Sequence, residues 1–366
     1  MLIKETTLEI NLSALKENYR LLRSKISSKT MMLAVVKAFA YGSDAVVVAK
    51  FLESVGVDYF AVAYVDEGVI LRKGGVKAPI LVLHPQVVNF KKAIEFQLEP
   101  SLYSERTMSE FISNTLELKQ HEFPVHIKFN TGLNRLGFRE KQASSIALKL
   151  SKETSIKVAS VFSHLAASED VQEKDFTTGQ IMAFSKICAL FETQYGKIPI
   201  RHLSNTSGVI NYPEAQFEMV RCGIGLYGYS NGANKLLPLI PAVALKTVIS
   251  QIHLLKEGES VGYNRGYFAK EAKSIATLPL GHADGLGRQY GNGIGFVRIN
   301  NKKAPIVGNV CMDMIMVDVT NISCSEGDEA IVFDNSKTAE GLAEQAGTIS
   351  YELLTAISRR IKRVIL

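Results

Sequence analysis

The sequence predicts an α/β protein, a (β/α)8 barrel of the TIM type followed by a mostly β C-terminal domain. Two observations carry that expectation. Eight short apolar runs alternate with amphipathic stretches between about residues 31 and 226, and the texture changes after about residue 236. A chain of 366 residues also exceeds one ordinary domain. The division expected is a barrel over 8–230 and a β domain over 236–366, with residues 1–8 pairing with the latter.

Ahead of the first apolar run, Leu15, Tyr19, Leu22 and Ile26 form a helical stripe, with Asn11 or Ser13 as its N-cap. The apolar runs are MLAVVK (32–37), YFAVAY (59–64), PILVLH (79–84), LEPSLY (98–103), VHIKFN (125–130), VASVFSHL (158–165), IRHLSN (200–205) and FEMVRCGI (217–224). Most lack strict alternation, the pattern of strands buried on both faces. Between two of them Ile181, Phe184, Ile187 and Phe191 recur at helical spacing. Eight such units predict a closed barrel, with an open doubly wound sheet as the alternative. A barrel places its chemistry at the C-terminal ends of the strands.

After residue 236 come β-branched runs such as LPLIPAVALKTVISQIHLL and turn signals (EGES, GNGIG, EGDE), with helical stripes only at 338–346 and 350–360. The segment TLEI (7–10) has no evident place in a barrel, hence its expected pairing with the β domain.

Charge and cysteine usage narrow the function class. The net charge is +6, but Lys and Arg are scattered. The one dense run, Arg359, Arg360, Lys362 and Arg363, reads as a solvated helix end, so no nucleic-acid partner is expected. No apolar run is long enough to cross a bilayer and the start lacks the pattern of a secretory signal, so no membrane association and a cytoplasmic address are expected. Cys188, Cys222, Cys311 and Cys324 show neither C-x-x-C nor zinc spacing, which reads as reduced thiols and no metal site.

Lys37 ends an apolar run in AVVKAFAYG (34–42) and is followed by Tyr41 and Gly42. A lysine emerging from an apolar wall has a lowered pKa and a nucleophilic amine. Taken alone it reads as a lysine that merely marks a strand end in solvent. His164 and His202, on the seventh and eighth runs, would singly read as packed core histidines. So would Tyr263 and Tyr351 as packed aromatics.

The segment around Lys37 resembles the pyridoxal 5'-phosphate (PLP) signature of alanine racemases, in which the lysine forms a Schiff base with the cofactor. Ser43 and Asp44 stand where that family has His-Gly. HIKFNTGLNRLGF (126–138) resembles the family's strand-five motif through Lys128, Thr131, Gly132, Arg135 and Gly137, with Asn130 in place of its common Asp. The resemblance implies that Lys128 is carbamylated, which turns a buried cation into an anion able to pair with Arg135. It implies that His164 lies against the cofactor ring, and that Tyr41, Asn205 and Thr206 lie at the cofactor, with the Thr206 hydroxyl on phosphate. In VRCGIGLYG (220–228) it puts Gly223 and Ile224 at the phosphate and Arg221 opposite the pyridine nitrogen. An arginine there disfavours ring protonation, making the ring a poorer electron sink and favouring racemisation over other outcomes. Tyr351 in ISYELL is implied to reach the phosphate, and Arg135 and Met312 the substrate. GHADGLGR (281–288) and IVGNVCMDMIMVDV (306–319) match further signatures, with His282 where the family usually has Tyr.

Racemisation needs a base on one face of a planar intermediate and an acid on the other. The resemblance assigns the D-alanine proton to Lys37 and the L-alanine proton to Tyr263. A phenol has an ordinary pKa of about 10, so His164 and Arg221 are expected to support it through hydrogen bonds. The resemblance further implies an obligate head-to-tail homodimer in which Tyr263 serves the partner's barrel. Three alternatives stay open at this level. A racemase for serine or another small amino acid would share the same residues. A decarboxylase of the same fold type should have an acidic group in place of Arg221. A PLP-binding barrel without activity would not need the second domain.

Overall fold

The computed structural model describes residues 5–230, 237–336 and 338–366. Residues 1–4 and 236, on which part of the expected domain division falls, lie outside that range.

Strand β1 (Thr7–Ile10) comes first. The helix Leu12–Arg23 follows, capped by Asn11, whose Oδ1 accepts from Ala14 N at 2.9 Å. Of the two N-cap candidates the chain uses Asn11, and Ile26 falls beyond the helix end. The barrel strands are β2 (Met31–Val35), β3 (Tyr59–Val62), β4 (Ile80–Val82), β5 (Glu99–Leu102), β6 (Phe123–Lys128), β7 (Ile156–Phe162), β8 (Ile200–His202) and β9 (Met219–Cys222). All are parallel to their neighbours, and β9 closes on β2 with Leu33 opposite Arg221. Each overlaps one of the eight apolar runs. The closed barrel, not the open sheet, is the architecture. β3, β4, β5 and β9 are buried along their whole length. That agrees with strands covered inside by the barrel's own side chains and outside by helices. The longest helix, Lys174–Tyr195, buries Ile181, Phe184, Ile187 and Phe191.

A nine-stranded sheet forms the second unit, built on β10 (Val243–Val248), β11 (Gln251–Leu255), β14 (Lys273–Leu278), β15 (Phe296–Ile299), β16 (Lys302–Val307), β17 (Ile315–Asp318), β18 (Glu329–Phe333) and β19 (Lys362–Ile365). Its order is β11-β14-β17-β16-β15-β18-β10-β1-β19, with β1 antiparallel to β10 and parallel to β19. The short pair β12 (Ser260–Val261) and β13 (Tyr267–Phe268) stands apart. Among the described residues no helix is long and apolar enough to cross a membrane.

The basic C-terminal run is not a solvated helix end. The helix Ser350–Ala356 stops before it, and Lys362 and Arg363 lie in β19. Arg360 donates to buried Asp284 at 2.6 Å and 2.9 Å and to Asp313 at 2.7 Å. Arg363 donates to the carbonyls of Gly42 and Ile357 at 2.7 Å and 3.1 Å. Local charge density could not reveal these partners, because they come from segments up to some hundreds of residues away.

Candidate active site

At the C-terminal end of the barrel a cavity of about 980 Å³ is lined by Lys37, Tyr41, Lys128, Arg135, His164 and Arg221, among others. Asn205, Thr206, Gly223, Ile224 and Tyr351 line it too. Eleven residues singled out from sequence thus meet in one space. Tyr263 and Met312 do not line it. They lie on the β domain, 74% and 59% exposed.

Lys37 sits two residues past β2, at the start of an unusual turn. Ala38, Phe39, Ala40 and Tyr41 all have left-handed backbones, with φ between 51° and 56°. Each such L-residue costs roughly 1–2 kcal/mol, so the surroundings must hold the turn. Glu67 accepts from Ala38 N at 2.6 Å and from Ala63 N at 2.7 Å, tying the turn to the end of β3. Gly42, at φ +81°, leaves no room for a Cβ, which would stand 2.0 Å from the Leu354 carbonyl. The turn carries Tyr41 inward, against the rings of Tyr227 (4.7 Å) and Tyr351 (5.7 Å). Sequence reasoning missed Glu67. Its only local signal is its place three residues into the helix Val65–Lys73, where it also accepts from Tyr64 N.

One end of the cavity is built to hold an anion. Thr206 opens the short helix Thr206–Asn211, and its Oγ1 accepts from Gly223 N (3.2 Å) and Gly225 N (3.4 Å). A Cβ on Gly223 would lie 2.4 Å from Tyr41 Oη, and one on Gly225 would lie 2.5 Å from Thr206 Cγ2. Glycine is required at both positions because side chains crowd the backbone there. Burial pushes the Tyr41 phenol well up, keeping it a neutral donor. Asn205 has a structural task as well: its Oδ1 caps Gly208 N and accepts from Ser168 Oγ, both at 2.8 Å.

The other end is crowded with cations. Burial pushes Lys37 down, Arg135 adds to this, and Glu67 opposes it. Lys128 is pushed down to about 7 by burial and by Arg135, Arg221 and Lys37. Arg221 is buried and donates from Nη2 to Ser163 O (2.8 Å), Leu203 O (2.9 Å) and His164 Nδ1 (3.0 Å), and from Nη1 to His202 Nδ1 (2.8 Å). Burial and Arg135 lower it to about 9, which leaves it a cation at neutral pH. His164 is held well below its usual range by burial and by Arg221, and so is a neutral ring. Asn130 shapes the loop carrying Arg135, since its Oδ1 accepts from Gly132 N (3.1 Å) and Asn134 N (2.9 Å). An aspartate would offer the same oxygen, so the exchange at this position preserves the turn. Gln180, also missed from sequence, braces the loop after β7 by bonding Ala166 N (2.9 Å) and His164 O (3.2 Å).

Tyr263 is displayed by a sharp turn, with Gly262, Asn264 and Arg265 at φ 75°, 57° and 49°. Asn309 Nδ2 holds the turn by donating to the Tyr263 carbonyl at 3.1 Å. His282 N and Ala283 N donate to the Cys311 and Met312 carbonyls at 2.9 Å and 3.0 Å, so these segments form one exposed rim.

Two family models match, the alanine racemase N-terminal domain over residues 10–231 and the alanine racemase C-terminal domain over 242–365. The chain is 35% identical to alanine racemase 2 of Caldanaerobacter subterraneus subsp. tengcongensis, covering 99% of this chain and 95% of that one. Among solved structures it resembles alanine racemase of Clostridium difficile 630, at 34% identity and a TM-score of 0.93, covering 100% and 97% of the two chains. It also resembles alanine racemase of Bartonella henselae with covalently bound pyridoxal phosphate, at 27% identity and a TM-score of 0.89, covering 99% of each.

Proposed function

We infer each residue's task from one premise: the chain belongs to the alanine racemase family, and its reaction is the interconversion of L- and D-alanine with PLP. The cavity suits that cofactor. The Tyr41–Thr206–Gly223 cradle excludes a Cβ and presents neutral donors to a phosphate, and Lys37 offers an amine that burial deprotonates readily. Lys37 would hold the aldehyde carbon, Tyr41, Asn205, Thr206, Gly223, Ile224 and Tyr351 the phosphate end, and His164 and Arg221 the ring. When bound, the cofactor supplies the electron sink that lets the substrate's α-carbon release its proton.

The remaining steps belong to the chain's own side chains. Arg135, with Met312 of the partner subunit, binds and orients the amino acid. Lys37 Nζ removes or returns the proton on the D face, and Oη of Tyr263 of the partner subunit does so on the L face. The Arg221–His164 pair, 3.0 Å apart, supports that phenol by donating hydrogen bonds toward it. Carbamylated Lys128 would place an anion beside Arg135, where four cationic side chains otherwise share one cavity. The assembly is an obligate head-to-tail homodimer with two composite sites, its chain divided into a barrel (8–230) and a β domain (236–366). Four free cysteines suit a reducing, cytoplasmic setting.

The observation that carries this reading is the shared cavity of Lys37 and Arg221. Borohydride reduction of the holoenzyme tests it. The pyridoxyl group should be recovered on the peptide bearing Lys37, and recovery on another lysine would overturn the assignment.

A further inference from the structure

The barrel interior holds a polar chain that the reaction above does not use. His202 Nε2 lies 2.8 Å from Ser160 Oγ, Ser160 Oγ lies 2.5 Å from His126 Nδ1, and His126 Nε2 lies 2.7 Å from Glu99 Oε2. The Tyr59 hydroxyl donates to the same carboxylate oxygen. With Arg221 on His202 Nδ1, the series runs from the active site through the core. All six residues are buried. Tyr59 on β3 and His126 on β6 pack edge to face at 5.7 Å although two strands separate them, so they meet across the barrel interior. At its far end Glu99 also lines a second cavity, formed with Arg72, Lys77, Phe123 and Pro124.

With both histidine rings neutral, one proton arrangement satisfies every bond. A guanidinium can only donate, so His202 Nδ1 must accept. Burial and the charge of Arg221 keep the His202 ring neutral, which puts its proton on Nε2, facing Ser160. The serine hydroxyl then donates to His126 Nδ1, leaving His126 Nε2–H for Glu99. A carboxylate can only accept, so the far end demands the same direction as the near end. Burial raises the Glu99 carboxyl, but its hydrogen bonds with His126 and Tyr59 and the charges around it outweigh burial, and the group is lowered to stay ionised. Every donor points from the cation to the anion, an arrangement in which each bond strengthens the next. Arginine keeps its protons, so the series orients groups and does not conduct charge.

We propose that Glu99, His126 and Ser160 are positioning residues that fix the Nε2–H tautomer of His202 and thereby hold the Arg221 guanidinium as a directed donor toward the cofactor ring. This rests on the reading of Arg221 as the ring-nitrogen partner. It adds three residues, on β5, β6 and β7, that touch neither cofactor nor substrate.

The test is nitrogen-15 NMR of the histidine rings in the holoenzyme, with steady-state kinetics of Ser160→Ala and Ser160→Thr. In the wild type, His202 should show a protonated Nε2 and an accepting Nδ1 throughout the neutral pH range. Ser160→Ala should move the Nδ1 resonance and lower kcat roughly tenfold in both directions with KM for alanine unchanged, and Ser160→Thr should restore both. A wild-type His202 protonated at Nδ1 overturns the proposal, as does a Ser160→Ala enzyme with unaltered His202 resonances and kcat. Should Ser160→Ala fail to fold, the wild-type tautomer alone decides. Lys37 labelling on the same sample keeps the two readings separate: a labelled Lys37 with the wrong His202 tautomer sinks this inference and leaves the cofactor assignment standing.

Discussion

Lys128 is an ordinary strand lysine in sequence and a strongly perturbed one in its setting. Its folded pKa of about 7 lies below the 10.5 of a free lysine. Between those values the unfolded chain binds a proton that the folded chain lacks, so stability rises as pH climbs through that window, and the penalty is fully present below about 7. In protein freed of carbon dioxide, Lys128→Met should therefore raise the urea midpoint at pH 6 and lose that advantage toward pH 10. Parallel pH profiles for the two proteins would refute the buried-cation account. Because a neutral amine is the form that reacts with carbon dioxide, the same lowered pKa favours carbamylation. Carbon-13 bicarbonate should give a carbamate resonance that Lys128→Met abolishes. At Lys37, substitution by Ala should reduce racemisation by at least about a thousandfold, the scale of losing a covalent anchor and a base together. Sequence could nominate both lysines by motif. It could not show that Arg135 and Arg221 converge on them, since that follows from barrel closure.

At the scale of elements, the turn after β2 and the loop after β9 do the positioning. Nothing local marks Ala38–Tyr41 as left-handed, since AFAY contains no glycine and has ordinary helix formers. The conformation is imposed by Glu67, by the Tyr227 and Tyr351 rings and by the helix Ser350–Ala356. Gly42→Ala should lower stability by about 2–4 kcal/mol in denaturant titration, because it combines an unfavourable φ with a backbone clash. Gly223→Ala differs. Its φ of −116° is not left-handed, though its ψ of −100° lies outside the common wells, and the new methyl meets the end of the Tyr41 side chain rather than backbone. Cofactor affinity measured by absorbance titration should fall at least about tenfold, with a smaller loss of stability than Gly42→Ala shows. The strands themselves were legible, because most of the runs lack the strict alternation of half-buried strands. Their exact ends were not: Lys37 and His164 fall just beyond the strands that their runs predicted.

At the scale of the whole molecule, Tyr263 stands on an exposed rim outside the cavity of its own chain. If two chains share their sites, mixing inactive Lys37→Ala and Tyr263→Phe proteins should restore activity. Half of the redistributed dimers would be mixed, each with one intact site, so up to about a quarter of wild-type activity is expected. No recovery after subunit exchange would show that both bases come from one chain.

What the sequence by itself determined was the barrel, the β domain that follows it and the identity of the groups in the cavity. Burial patterning is written locally, and the groups of the cavity were reached through the resemblance of their motifs to the alanine racemase family. Tertiary structure alone decided the handedness of the lysine turn, the pairing of Arg360 with Asp284 and Asp313, and the polarity running from Arg221 to Glu99. Each of these is a relation between residues brought together by register and closure. A hydrogen bond's direction depends on what stands at both of its ends.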